Sequence, residues 1–103
     1  MAWHRVANIA DIPLGELKKV YVEAQAVVLC HAESGFYAVE DKCSHMDLPL
    51  SDGLLKQDEI ICIHHGAHFC LKTGEACSAP AYEPIAVYPT KIEDDALFVE
   101  IDE

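Results

Sequence analysis

Two short stretches of the chain each combine one cysteine with one histidine. Cys43 and His45 form a C-x-H pair, and Cys62 and His65 form a C-x-x-H pair, with sixteen residues between the two pairs. Thiolate and imidazole groups at such short spacings are typical ligands of transition metals. These four residues are therefore the candidate metal-binding residues of the chain.

Two kinds of metal site fit this donor set. A tetrahedral Cys2His2 zinc site is one, although zinc fingers usually keep the two cysteines in one element and the two histidines in another. A [2Fe–2S] cluster with two cysteines on one iron and two histidines on the other explains why each stretch carries one of each. His64 and His68 offer alternative spacings, and we interpret them as loop residues lining the site.

Composition excludes several classes of protein. With 103 residues, we expect one domain spanning residues 1–103. The formal charge of −11 disfavours binding to nucleic acid or to an anionic membrane, because both need clustered Lys and Arg. The chain has no start typical of a signal peptide and no apolar run near the ~20 residues of a membrane span. We therefore expect a cytoplasmic monomer.

The remaining cysteines are expected to be unpaired. Five cysteines do not suit a closed disulfide framework. We interpret Cys30, in an apolar strand, as a small buried side chain. Cys70 and Cys77 flank a Thr-Gly turn, but a reducing compartment disfavours a disulfide between them.

The elements that must position the four candidate ligands are short strands. Alternating or apolar runs bounded by turn residues predict strands at residues 17–22, 26–30, 36–39, 60–63, 85–88 and 97–101. No segment has the pattern of an amphipathic helix. The sequence therefore predicts an all-β fold, an antiparallel sandwich or barrel, with a functional insert of loops at about residues 41–84.

At this point the chain resembles a known family. C-x-H, about sixteen residues and C-x-x-H-G is the cluster motif of Rieske proteins, matched by Cys43, His45, Cys62, His65 and Gly66. Residues 50–53, 69–74, 79–80 and 87–93 resemble further segments of that family. The resemblance covers nearly the whole chain and is closest to the small ferredoxins of bacterial ring-hydroxylating dioxygenase systems.

The resemblance implies a fold and a function. The fold would be the Rieske-type antiparallel β-sandwich, with a cluster-binding subdomain of two loops. The four candidate ligands would hold one [2Fe–2S] cluster. The chain would not be an enzyme but an electron carrier, taking electrons from a flavoprotein NAD(P)H-dependent ferredoxin reductase and passing them to a terminal Rieske oxygenase. The alternatives are a small subunit of nitrite-reductase type and a structural zinc module for protein interaction.

The chain departs from the high-potential Rieske proteins of respiratory complexes. Those proteins carry one further cysteine in each cluster loop, joined as a disulfide, where this chain has Leu48 and His64. They also place a serine, which bonds a bridging sulfide, where this chain has Ala67. A lost hydrogen bond to sulfur destabilises the more negative reduced state and lowers the potential.

A redox titration checks this departure. We expect a midpoint near the low end of the Rieske range of roughly −150 to +300 mV, and a midpoint above about +100 mV would contradict it.

Overall fold

Ten short strands dominate the part of the chain that the computed structural model describes, which is residues 2–42, 49–63, 66–77 and 84–101. They are β1 (Ala2–Asn8), β2 (Leu17–Val22), β3 (Gln25–Ala32), β4 (Gly35–Glu40), β5 (Leu54–Lys56), β6 (Glu59–Ile61), β7 (His68–Cys70), β8 (Val87–Tyr88), β9 (Thr90–Glu93) and β10 (Ala96–Ile101). Two 3-10 turns cover Ile9–Asp11 and Leu50–Asp52. Among the residues that the structure describes, no helix has the length and apolar character needed to cross a membrane.

The strands form three antiparallel sheets. A central sheet has the order β2-β3-β4-β8, a second sheet β1-β10-β9, and a third, smaller sheet β5-β6-β7. Every pairing among the described strands is antiparallel. The predicted all-β class is therefore confirmed.

Within the central sheet, β3 is buried on both of its faces. Val27 and Leu29 pack into one core, together with Leu97 and Val99 of β10. Their neighbours on β3, Val28 and Cys30, pack into the opposite core. That core is shared with residues of the small third sheet and the turn after it, namely Ile60, Phe69 and Leu71. A strand buried on both sides can be apolar at every position, which explains the unbroken apolar run of β3.

Two expectations about the strands need correction. The strand expected at residues 85–88 covers only Val87–Tyr88, and Pro89 separates it from β9, which belongs to a different sheet. Proline has no N–H to donate to a ladder, so it stands at the point where the chain changes sheets. The expected loops at residues 41–84 also contain the third sheet, whose β5 and β7 are too short to show a clear alternation.

Gly74 lies in the hairpin that follows β7, where it contacts the chain just before β8. Its φ is +80°, and a Cβ there would lie 2.1 Å from the carbonyl oxygen of Ile85. The backbone N–H of Ile85 donates to the carbonyl of Gly74 at 2.8 Å. The chain therefore passes so close at this point that only glycine fits.

We expect Gly74→Ala to lower the thermal stability of the protein more than Gly15→Ala. Gly15 has a similar φ of +87°, but a Cβ there would meet no atom within 4 Å, so this variant isolates the conformational cost, about 1–2 kcal/mol. Gly74→Ala adds the clash with Ile85, about 1–3 kcal/mol more. Thermal unfolding followed by circular dichroism compares the two, and equal losses would contradict the close approach.

Candidate metal centre

Cys62 begins a tight loop between β6 and β7. The backbone N–H of Cys62 donates to the carbonyl of Ala67 at 2.8 Å, and the N–H of Gly66 donates back to the carbonyl of Cys62 at 2.7 Å. Gly66 has a φ of +71°, a left-handed conformation that glycine adopts without strain. These two bonds fix the backbone that carries the Cys62 thiol.

Burial changes sharply along this loop. Cys62 is 1% exposed and Ala67 is fully buried, and both pack in the core beneath the third sheet. Between them, Ile63 is 52% exposed and Gly66 is exposed. The loop thus leaves the core directly after Cys62 and returns to it at Ala67. Cys62 is therefore held on the core side of the loop, while Ile63 and Gly66 face solvent.

A buried carboxylate connects the chain after β4 to the turn at Leu50–Asp52. Asp41, whose side chain has no exposed surface, accepts hydrogen bonds from the backbone N–H of Ser51 at 2.7 Å and from its hydroxyl at 2.9 Å. The Lys19 ammonium lies 3.3 Å from the same carboxylate. Side-chain hydrogen bonds to Tyr21 and Asp41 raise the pKa of Lys19 above its ordinary value. Asp41 therefore joins two described segments that precede and follow residues 43–48.

A close backbone approach sets the turn at residues 50–53 against the strand that leads to Cys62. A Cβ on Gly53 would lie 2.1 Å from the carbonyl oxygen of Ile61, the residue before Cys62. Leu50, at the start of the same turn, packs in the core that contains Cys62 and Ala67. This turn therefore lies directly against the start of the Cys62 loop.

The structure describes only one of the four predicted ligands. Cys62 lies at the base of its loop, whereas Cys43, His45 and His65 fall outside the described residues, as does His64. His68 is not a loop residue: it belongs to β7, and its Nδ1 lies 2.9 Å from Glu59.

Sequence reasoning missed Asp41, Ser51 and Lys19. Asp41 directly follows β4, where a charged residue is common, so its type alone gave no indication of burial. Lys19 lies on β2, and only the packed sheets bring it to the carboxylate.

The donor chemistry fits a mixed thiolate and imidazole site. Within the described ranges, no group of three or more His, Cys, Asp or Glu side chains could hold a metal ion. Cys30 is fully buried, and desolvation raises the pKa of its thiol well above the ordinary value, with the nearby Asp41 charge adding to the effect. Cys30 therefore behaves as the small buried side chain expected of it.

The chain is similar in sequence to ferredoxin subunits of dioxygenases. The 3-phenylpropionate/cinnamic acid dioxygenase ferredoxin subunit of Shigella flexneri serotype 5b (strain 8401) is 36% identical over 96 residues, which are 92% of this chain and 90% of that protein. The biphenyl 2,3-dioxygenase ferredoxin component of Rhodococcus jostii (strain RHA1) is 32% identical over 102 residues, 99% of this chain and 95% of that protein.

Solved structures agree with these relatives. A chain in the complex of reduced oxygenase and oxidised ferredoxin in carbazole 1,9a-dioxygenase superposes with a TM-score of 0.88 at 32% identity, covering 94% of this chain and 91% of that one. The family model of the Rieske [2Fe-2S] domain matches residues 2–89. The chain therefore belongs to the Rieske [2Fe-2S] family, and its cofactor is a Rieske-type [2Fe-2S] cluster.

Proposed function

We propose that Cys43, His45, Cys62 and His65 hold the cluster, with the cysteines on one iron and the histidines on the other. The observation that carries this proposal is the buried Cys62 thiol at the base of a loop closed by two backbone hydrogen bonds. His65 lies in the part of that loop whose described neighbours, Ile63 and Gly66, are exposed. In this proposal Cys62 is the ligand on the core side of the loop.

The chain is a one-electron carrier rather than an enzyme. When bound, the cluster accepts and releases one electron at a time. The protein keeps Cys62 in a packed core, where backbone hydrogen bonds restrict its motion. Asp41 restrains the ends of the stretch that contains Cys43 and His45. A rigid ligand frame of this kind limits the rearrangement that must accompany each change of charge.

We further propose that the chain passes its electrons to a terminal aromatic-ring-hydroxylating oxygenase. The relatives are named as dioxygenase ferredoxin subunits, and the carbazole 1,9a-dioxygenase structure contains an oxygenase together with its ferredoxin. With a formal charge of −11, the chain would be attracted to basic docking faces on its partners. A zinc module or a nitrite-reductase-type subunit is not favoured beside these relatives.

The proposed electron donor is a flavoprotein NAD(P)H-dependent reductase. Nicotinamide delivers electrons in pairs as hydride, and a flavin can release them singly to a one-electron carrier. We place this exchange in the cytoplasm, where reduced nicotinamide cofactors are available. We also propose that residues 1–103 act as one domain, since both cores share the central sheet. We propose that this domain is a monomer.

Electron paramagnetic resonance of the dithionite-reduced protein, with iron and acid-labile sulfide analysis, tests the ligand assignment. We expect the low average g value of mixed Cys and His ligation. Cys62→Ser and His65→Ala should lose this signal, whereas Cys30→Ser and His68→Gln should keep it. Zinc without iron or sulfide, or a signal that survives the loss of Cys62 but not of His68, would contradict the assignment.

Stopped-flow kinetics of the holoprotein test the carrier function. Mixed in a stopped-flow instrument with a ring-hydroxylating oxygenase and a flavoprotein reductase, the holoprotein should be reduced by the reductase and reoxidised by the oxygenase. Both rates should fall as salt is added, because salt screens the attraction between opposite charges. A holoprotein that neither partner reduces or oxidises would contradict the proposed place between them.

Asp41→Ala should weaken the frame around the cluster more than Ser51→Ala does. Asp41→Ala removes the acceptor of both Ser51 bonds and the partner of Lys19, at a cost of about 2 kcal/mol. Ser51→Ala keeps the backbone bond and should cost about 1 kcal/mol. Thermal unfolding and iron retention of the holoprotein measure the difference. An Asp41→Ala variant as stable as the parent would contradict the restraining role.

A further inference from the structure

β7 continues into a hairpin that carries two cysteines outside the ligand quartet. Phe69 forms an antiparallel bridge with Ala76, the N–H of Cys70 donates to the carbonyl of Glu75 at 2.9 Å, and the N–H of Cys77 donates to that of His68 at 2.6 Å. In such a ladder, side chains alternate between the two faces. Phe69 is fully buried, so its neighbours on either side project to the outer face.

Cys70 and Cys77 are therefore diagonal neighbours on the outer face of this hairpin. The Cys77 thiol donates to the carbonyl of Glu75 at 3.6 Å, and the same carbonyl accepts the backbone N–H of Cys70 at 2.9 Å. The Cys77 sulfur therefore lies beside the backbone of Cys70. Both residues are free thiols, Cys77 exposed and Cys70 half-buried, so small solutes can reach them.

The two thiols differ in reactivity. A hydrogen bond from the Thr73 hydroxyl, assisted by backbone N–H groups of the turn, lowers the pKa of Cys70. Desolvation and the nearby charge of Glu59 raise the pKa of Cys77. Because the thiolate is the nucleophile in exchange reactions, Cys70 is the group that attacks first.

We propose that Cys70 and Cys77 are a thiol-redox site, which forms a reversible disulfide by exchange with a low-molecular-weight disulfide such as oxidised glutathione. The Cys70 thiolate attacks one sulfur of oxidised glutathione, forming a mixed disulfide and releasing one glutathione thiolate. The Cys77 thiolate then attacks the Cys70 sulfur and releases the second. Two protein thiols are oxidised, one glutathione disulfide is reduced to two glutathione molecules, and the two protein protons go to the departing thiolates or to solvent.

The exposure of the pair makes this bond reversible. An exposed disulfide that closes a short loop belongs to the labile class, which excess reduced thiol reopens. This site does not depend on the proposed electron transfer.

The test is peptide mapping of the holoprotein after incubation with oxidised glutathione and alkylation of the remaining thiols. Trypsin cleaves after Lys72, between the two cysteines, so the disulfide joins the peptides of residues 57–72 and 73–91. We expect this joined pair, lighter than the sum of its reduced peptides by two hydrogens, and its disappearance on reduction. Tandem mass spectrometry assigns the bond to Cys70 rather than Cys62, and visible absorption confirms that the cluster is retained.

Single variants separate the steps. Cys77→Ser should accumulate a glutathione adduct on Cys70, whereas Cys70→Ser should give no joined peptides and little adduct on Cys77. The control Cys30→Ser should behave as the parent, because that thiol is fully buried. Holoprotein that retains its cluster and forms only a stable adduct, or no product, would overturn the proposal. A joined pair that persists in Cys70→Ser would also overturn it.

Discussion

The burial of one strand on both of its faces is the constraint on which the rest of this structure depends. β3 sends alternate side chains into two cores, one shared with β10 and the other with the small third sheet. Without the central sheet, neither of the outer three-stranded sheets would have an apolar surface to cover. The core beneath the third sheet also contains Cys62 and Ala67. The packing of the sheets and the placement of the loop that begins at Cys62 therefore depend on the same apolar contacts.

Backbone contacts then fix the chain around Cys62. Reciprocal hydrogen bonds hold Cys62 in its loop, and the turn that ends at Gly53 lies against Ile61. Asp41 adds a buried charge, which would be costly alone. Two hydrogen bonds from Ser51 and the ammonium of Lys19 compensate that cost and tie the chain after β4 to the same turn.

Environment separates the described cysteines into three roles. Cys62 is buried at the point where the chain leaves the core, and we propose it as one of the four residues that hold the cluster. Cys30 is enclosed by apolar side chains of the same core and is chemically quiet. Cys70 and Cys77 lie on the outer face of a hairpin, where hydrogen bonds and nearby charge give them unequal reactivity. The residue type is the same in each case, and burial decides what it can do.

The amino-acid sequence alone was enough to predict the all-β class and most of the longer strands, and the assignment of the ligands by residue type and spacing stays a prediction. These features are local, because strand alternation and the distance between a cysteine and the next histidine are properties of a few consecutive residues. Only the packed fold shows that Asp41 binds Ser51 and Lys19, that Gly53 lies against Ile61 and that Pro89 separates two sheets. Each of these depends on which distant segments pack together, and burial and hydrogen-bond partners follow from that packing rather than from the residues alone.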